Sequence, residues 1–228
     1  MPPVIESGGS STFTIARGRM RWHRVILVAI VLSGLWPLSC AQIKQISDTL
    51  ANLQRLQFKL GSVHEFRLVG IPLSDKSSPS DFNPLGDGLK LLDAFRSNKF
   101  PADFVLDLQV RNPNDGTQGR SAVAATLAGL EFRLLIDEQP TITGALDREV
   151  EIPASGSTTT VPIRISLDLY EFFGKQGYDK LINVALAIGG KNGSASRLKL
   201  DAKPTVRTKF GLMTYPGRIT IVDREFRN

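Results

Sequence analysis

The chain has 228 residues, 28 Lys and Arg against 22 Asp and Glu, a formal charge of +6 and one cysteine. One cysteine excludes an intrachain disulfide framework, and with two histidines it is too few for a Cys/His zinc centre. A basic protein that binds nucleic acid gathers its cations into a stripe, and these are scattered.

The chain opens with a targeting pattern. Arg17, Arg19, Arg21 and Arg24 precede an apolar run from Val25 to Leu38. As a helix that run would reach about 20 Å, short of the roughly 30 Å of a bilayer core, which suits the core of a signal peptide. Met20 is an alternative start that would give a compact signal. Cleavage before Cys40 removes four arginines and one acid, Glu6, and takes the charge from +6 to +3. A lone cysteine after "WPLS" resembles the lipobox of bacterial lipoproteins, with Pro37 where that family carries leucine. The resemblance implies that Cys40 is the first mature residue and carries the lipid. The alternatives are an ordinary secretory signal and an uncleaved anchor. Ala41, in place of aspartate, implies sorting to the periplasmic face of the outer membrane. Residues 1–39 are thus read as signal peptide, 40–56 as a lipidated stalk and 57–228 as one domain, long enough to bury a core.

Along the mature chain, Ile43, Ile46, Leu50 and Leu53 repeat at helical spacing, either as an amphipathic stalk or as a segment packed on the domain. Residues 57–71 read as a strand broken by a bulge near Gly61, where the alternation loses phase. A loop rich in Pro, Ser and Asp follows. Leu85, Leu89, Leu92 and Phe95 then predict a short helix with one apolar stripe. In "FVLDLQVRNPND", Phe104, Leu106, Leu108 and Val110 alternate with Val105, Asp107, Gln109 and Arg111, the signature of a strand with one buried face. Pro113 ends it, having no N–H to donate.

The stretch 122–127 predicts an edge strand. Leu130, Phe132, Leu134 and Ile136 give a clean strand, and "DEQP" a hairpin connection into an extended stretch over 141–152. "PASGST" is a turn. Val161, Ile163, Ile165, Leu167 and Leu169 alternate again, and Pro162 requires that strand to lie at an edge or near its start. Residues 179–188 predict a helix capped by Asp179 and closed by Gly189. Strands over 197–206 and 217–222 finish the chain. Several short alternating strands imply two sheets around a shared core.

The strand ending in Asn112-Pro113-Asn114, the hairpin, the turn at Ile152-Pro153-Ala154 with small polar residues after it, and the strand over 161–169 together resemble the late-embryogenesis-abundant type-two family, also called the water-stress-and-hypersensitive-response (WHy) domain. The resemblance covers roughly residues 58–222. It implies a mainly β fold, an immunoglobulin- or fibronectin-like antiparallel β-sandwich of about seven strands with one or two short helices. It also implies a role in desiccation or other water stress, often as an exported bacterial lipoprotein. The six motif residues are structural on this reading.

Chemistry is sparse. His64 is the one histidine left after cleavage, and no nucleophile-elbow motif supports a Ser–His–Asp arrangement around it. The acid pairs Asp168/Glu171 and Asp147/Glu149 have the spacing of a helix start and a solvated strand face. "GGKNGS" at 189–194 lacks the spacing of a phosphate loop and reads as a turn. The expectation is a non-enzymatic envelope protein with no cofactor, no metal and no nucleic-acid partner. It would be tied to membrane lipid by its acyl anchor and act through contacts with membrane or protein surfaces. The alternative is an accessory lipoprotein in transport or assembly that docks a protein partner on a sheet edge.

Overall fold

A computed structural model describes residues 56–228 apart from 115, 118–121, 123, 147, 209, 210, 224, 225 and 228. Cys40 and the proposed stalk lie outside the described residues, except its last residue, Leu56, which is buried in the core. The remainder is mainly β. Ten strands form two antiparallel sheets over one hydrophobic core. One sheet runs β2-β1-β3-β7, from Ile71–Pro72, Gln57–Leu68, Pro101–Arg111 and Thr158–Asp168. The other runs β10-β8-β4-β5, from Ile219–Ile221, Leu198–Thr208, Ala125–Ile136 and Gln139–Leu146. Two short strands extend the second sheet: β6 (Val150–Ile152) pairs with β4, and β9 (Gly211–Thr214) with β8. The surplus over seven strands comes from β2, β6 and β9, which have two to four residues each and are too short for a period-two pattern to register.

The alternations build the core as expected. Phe104, Leu106, Leu108 and Val110 on β3 and Val161, Ile163, Ile165 and Leu167 on β7 are all buried, as are Leu130, Phe132, Leu134 and Ile136 on β4. The β1–β3 ladder shifts register between Leu60 and Val63 and again between His64 and Arg67, so the bulge near Gly61 is present and a second follows it. At Gly61 an added Cβ would lie 3.1 Å from the Asp107 Cβ, a close strand approach that favours glycine.

Four expectations need correction. The stretch 122–127 is not an edge strand: from Ala125 it is the first part of β4, with β8 on one side and β5 and β6 on the other. Its small residues hid the alternation, and a bulge between Leu127 and Gly129 reset its phase. The helix over 85–95 begins with a wide turn at Pro84–Gly88 before α1 (Leu89–Arg96). The extra residue in that turn rotates Leu85 and Leu89 outward, 84% and 56% exposed, and Leu91 is buried instead. A five-residue helix, α2 (Leu169–Phe173), was not foreseen, and Leu169 belongs to it rather than to the strand. In α3 (Tyr178–Gly189), Gly177 holds the N-cap position at φ 94°, so Asp179 sits in the first turn, where it favours the positive end of the helix dipole without capping.

The two long sides of the sandwich are finished differently. On one side the C-terminal segment crosses from β10 to β1. Val222 accepts from the Leu60 N–H at 2.9 Å, and Phe58 and Arg227 exchange backbone bonds of 2.7 and 2.8 Å. Phe226 lies there 4.6 Å from the Arg111 guanidinium, a cation–π contact. The other side is bordered by β5 and β7, the last strands of their sheets among the described residues.

Candidate functional site

The motif residues converge at the corner where the chain changes sheet. Asn112 directly follows β3 in one sheet, and Ile152 ends β6 in the other; both are fully buried. The Asn112 amide Nδ2 donates to the Ile152 carbonyl at 3.4 Å, bridging the sheets. Its Oδ1 accepts from the Asn114 backbone N–H at 3.1 Å and from Asn114 Nδ2 at 2.9 Å. This is an Asx-type turn, the local bonding that lets an asparagine end a strand. Pro153 and Ala154 then carry the chain into a turn, and β7 starts at Thr158 opposite Arg111. A buried, hydrogen-bonded amide network fixes a unique corner. They expose no reactive group, so the junction is a clasp.

A second polar cluster lies on the outer face of the β1–β3–β7 sheet. Asp107 accepts from Ser62 Oγ at 2.8 Å, and its other oxygen is 3.2 Å from His64 Nε2. The carboxylate stands between hydroxyl and imidazole. A serine nucleophile needs the imidazole next to its hydroxyl as proton acceptor, and here the serine proton points at the carboxylate. The cluster pins the first bulge of β1 against β3.

The acid pairs resolve into supports. Asp168 Oδ1 accepts from the Phe100 N–H at 2.7 Å and the Tyr170 N–H at 2.9 Å, capping α2 and holding the start of β3. Asp147 lies outside the described residues; Glu149 pairs with Arg207, whose guanidinium holds the Glu149 carboxyl below its ordinary range. The loop after α3 spends its N–H groups on the protein: Gly190 on Leu186, Lys191 on Lys76, Gly193 on Gly190 and Ser194 on Ala187. None of these is left for a phosphate. Among the described residues no cluster of three His, Cys, Asp or Glu could hold a metal, and no helix is long and apolar enough to cross a membrane.

Sequence reasoning missed the open side. Between the edges of β5 and β7 lies a cavity of ≈ 460 Å³. Its walls are the consecutive residues 142–146 of β5 and 162–166 of β7, with Phe132 in the floor. The Phe132 ring covers Gly144, where an added Cβ would lie 2.5 Å from the ring. Arg148 and Arg164 line the cavity, and among the described residues no acidic side chain does. Both guanidiniums stand without an ion-pair partner among the described residues. Arg148 follows β5 in one sheet and Arg164 lies on β7 in the other, so only the packing of the two sheets brings them to one cavity; the one foreshadowing signal was Pro162, which marked β7 as an edge.

Comparison with known proteins gives limited company. No family model matches the chain, and no curated protein does. Solved structures do match at low similarity. One is a crystal structure of a protein from Archaeoglobus fulgidus, 13% identical, covering 71% of this chain and 92% of its own, with a TM-score of 0.32. Another is a solution structure provisionally described as a late embryogenesis abundant (LEA) protein, 16% identical, covering 87% of each chain, with a TM-score of 0.34. A third is a structural-genomics target designated SoR45, 8% identical, covering 75% of this chain and 88% of its own, with a TM-score of 0.33. At these scores the fold assignment rests on the strand pairing of the chain itself.

Proposed function

We propose that the chain is a non-enzymatic, lipid-anchored envelope protein whose sandwich works by surface contact, helping the envelope tolerate water loss. The observation that carries the non-enzymatic part is the order Ser62–Asp107–His64, in which the imidazole has no hydroxyl to deprotonate among the described residues. The anchor rests on Cys40 after its short apolar run, and the link to water stress on the resemblance of the Asn112–Asn114 and Ile152–Ala154 motifs. One acyl chain gives marginal attachment and two give a durable one, so the lipobox reading requires a diacylated thioether. Mass spectrometry of the mature N-terminus tests it: the expected product begins at Cys40 and carries diacylglycerol, and an unmodified product would remove the anchor. Drying a deletion strain tests the role, with unchanged survival and membrane integrity counting against it.

One observation favours a second reading, that of an accessory lipoprotein docking a protein partner. β7 is an eleven-residue edge strand, and free strand edges are where extended partners add. Crosslinking in unstressed cells separates the two readings, since one stoichiometric partner favours docking.

A further inference from the structure

We propose that the seam between β5 and β7 takes an extended acidic segment of a partner protein as an added strand; this rests on the docking reading above. Half of the backbone groups of β7 are already used by β3. In an antiparallel ladder, alternate residues direct both N–H and C=O to the same neighbour. The Leu169 N–H donates to the Phe100 carbonyl, which places the odd-numbered residues, through Leu167, Ile165 and Ile163, in the bonded pairs with β3. The Pro101 carbonyl accepts from the Val69 N–H on the β1 side, the alternation expected on β3. The even-numbered residues of β7 therefore turn their backbone outward. Thr160, Arg164 and Ser166 offer N–H and C=O to the seam, and Pro162 offers a carbonyl only. Pro162 fits an edge for this reason, and it limits an added ladder to the half of β7 that ends at Ser166.

The side chains then select the occupant. Arg148 and Arg164 are the charged residues lining the cavity among the described residues. The floor, from Phe132, Ile142 and Leu146, is apolar. A strand with side chains alternating in direction presents apolar residues to such a floor and carboxylates to its rim. An acyl chain would fill the floor and leave the outward N–H groups of Arg164 and Ser166 without partners, which is why a peptide is preferred. On the β3 side of Arg164 and Ser166 a second hollow of ≈ 430 Å³ holds Glu65 and Asp103 beside Arg67 and Arg164. Charge is balanced there, so the preference for anions belongs to the Arg148 end.

The test uses the full chain in nanodiscs and a fluorescent synthetic peptide of alternating valine and threonine with a central aspartate. The expected result is binding read by anisotropy, weakened by about tenfold in Arg164→Glu and in Arg148→Glu. Binding should be lost when alternate amides of the peptide are N-methylated, and unchanged in Lys99→Glu, an exposed charge outside the cavity. Equal binding of a version with lysine for aspartate overturns the proposal, as does binding of oleate or anionic vesicles without binding of the peptide. Self-association through the seam, seen as a dimer that Arg164→Glu dissolves, overturns it as well. A photocrosslinker at Ser166 separates this from the reading beneath it. If a stoichiometric partner crosslinks at Leu89 and not at Ser166, docking stands and the seam does not.

Discussion

Asn112 is the side chain on which most of the corner depends. Its amide is fully buried and serves one carbonyl and two donors, so Asn112→Ala removes partners from groups that water cannot reach. The expected loss is about 2 kcal/mol or more of unfolding free energy, read as a lower urea midpoint. Asn183→Ala, at an exposed position on α3, should stay within about 0.5 kcal/mol. Tyr215 gives a pH handle. Burial pushes its phenol well above the ordinary value of 10.0. The folded state thus favours the protonated form, and the stabilisation is complete below pH 10.0 and is lost as pH climbs past it. Thermal melts should fall in alkaline solution, and Tyr215→Phe should flatten that fall. It will not abolish it, because burial also raises Tyr178. None of this bonding was legible in the sequence beyond the motif itself. "NPN" announces a strand end; that its first asparagine reaches a carbonyl forty residues away is a fact of sheet packing.

At the scale of elements, α3 is held by a close approach. An added Cβ at Gly189 would fall 2.1 Å from Phe66 Cγ and 2.3 Å from its Cβ, the root of a ring stacked on Phe104 at 5.0 Å. Such a root cannot swing aside, so Gly189→Ala should cost about 3 kcal/mol by overpacking. Gly217→Ala, where a Cβ meets nothing within 4 Å, should melt like the parent. The helix is also fastened at its other end. Asp137, in the two-residue turn between β4 and β5, binds Lys180 at 3.2 Å and Arg197 at 2.7 Å. The sequence predicted α3 from its spacing and Gly189 as its terminator, but Gly189 is the last helical residue with Gly190 at the C-cap, and the reason for the Gly189 glycine is the phenyl ring. Long, strictly alternating strands such as β3 and β7 were readable because burial on one face writes a period into the residues. α1 was misjudged in its face because one wide turn breaks the phase, and nothing in "PLGDG" signals such a turn.

For the molecule as a whole, the asymmetry of the two sides matters most. The side at β1 and β10 is closed by backbone bonds from the C-terminal segment, and the side at β5 and β7 presents strand edges with Arg148 and Arg164 lining the cavity between them. Open edges invite association, and Pro162 narrows that invitation to a short stretch. The fold class was legible from alternation and turn residues, since each strand buries one face and two such faces need one core. Which edges stay open was not legible, because edge identity depends on strand order, and order leaves no local trace. Amide hydrogen exchange on the full chain in nanodiscs tests this directly. The account predicts slow exchange at Phe58 and Leu60, whose N–H groups donate to Arg227 and Val222, and fast exchange at Thr160, Arg164 and Ser166. Protection of those three amides as strong as that of Ile163 and Ile165, in the absence of any partner, would contradict it.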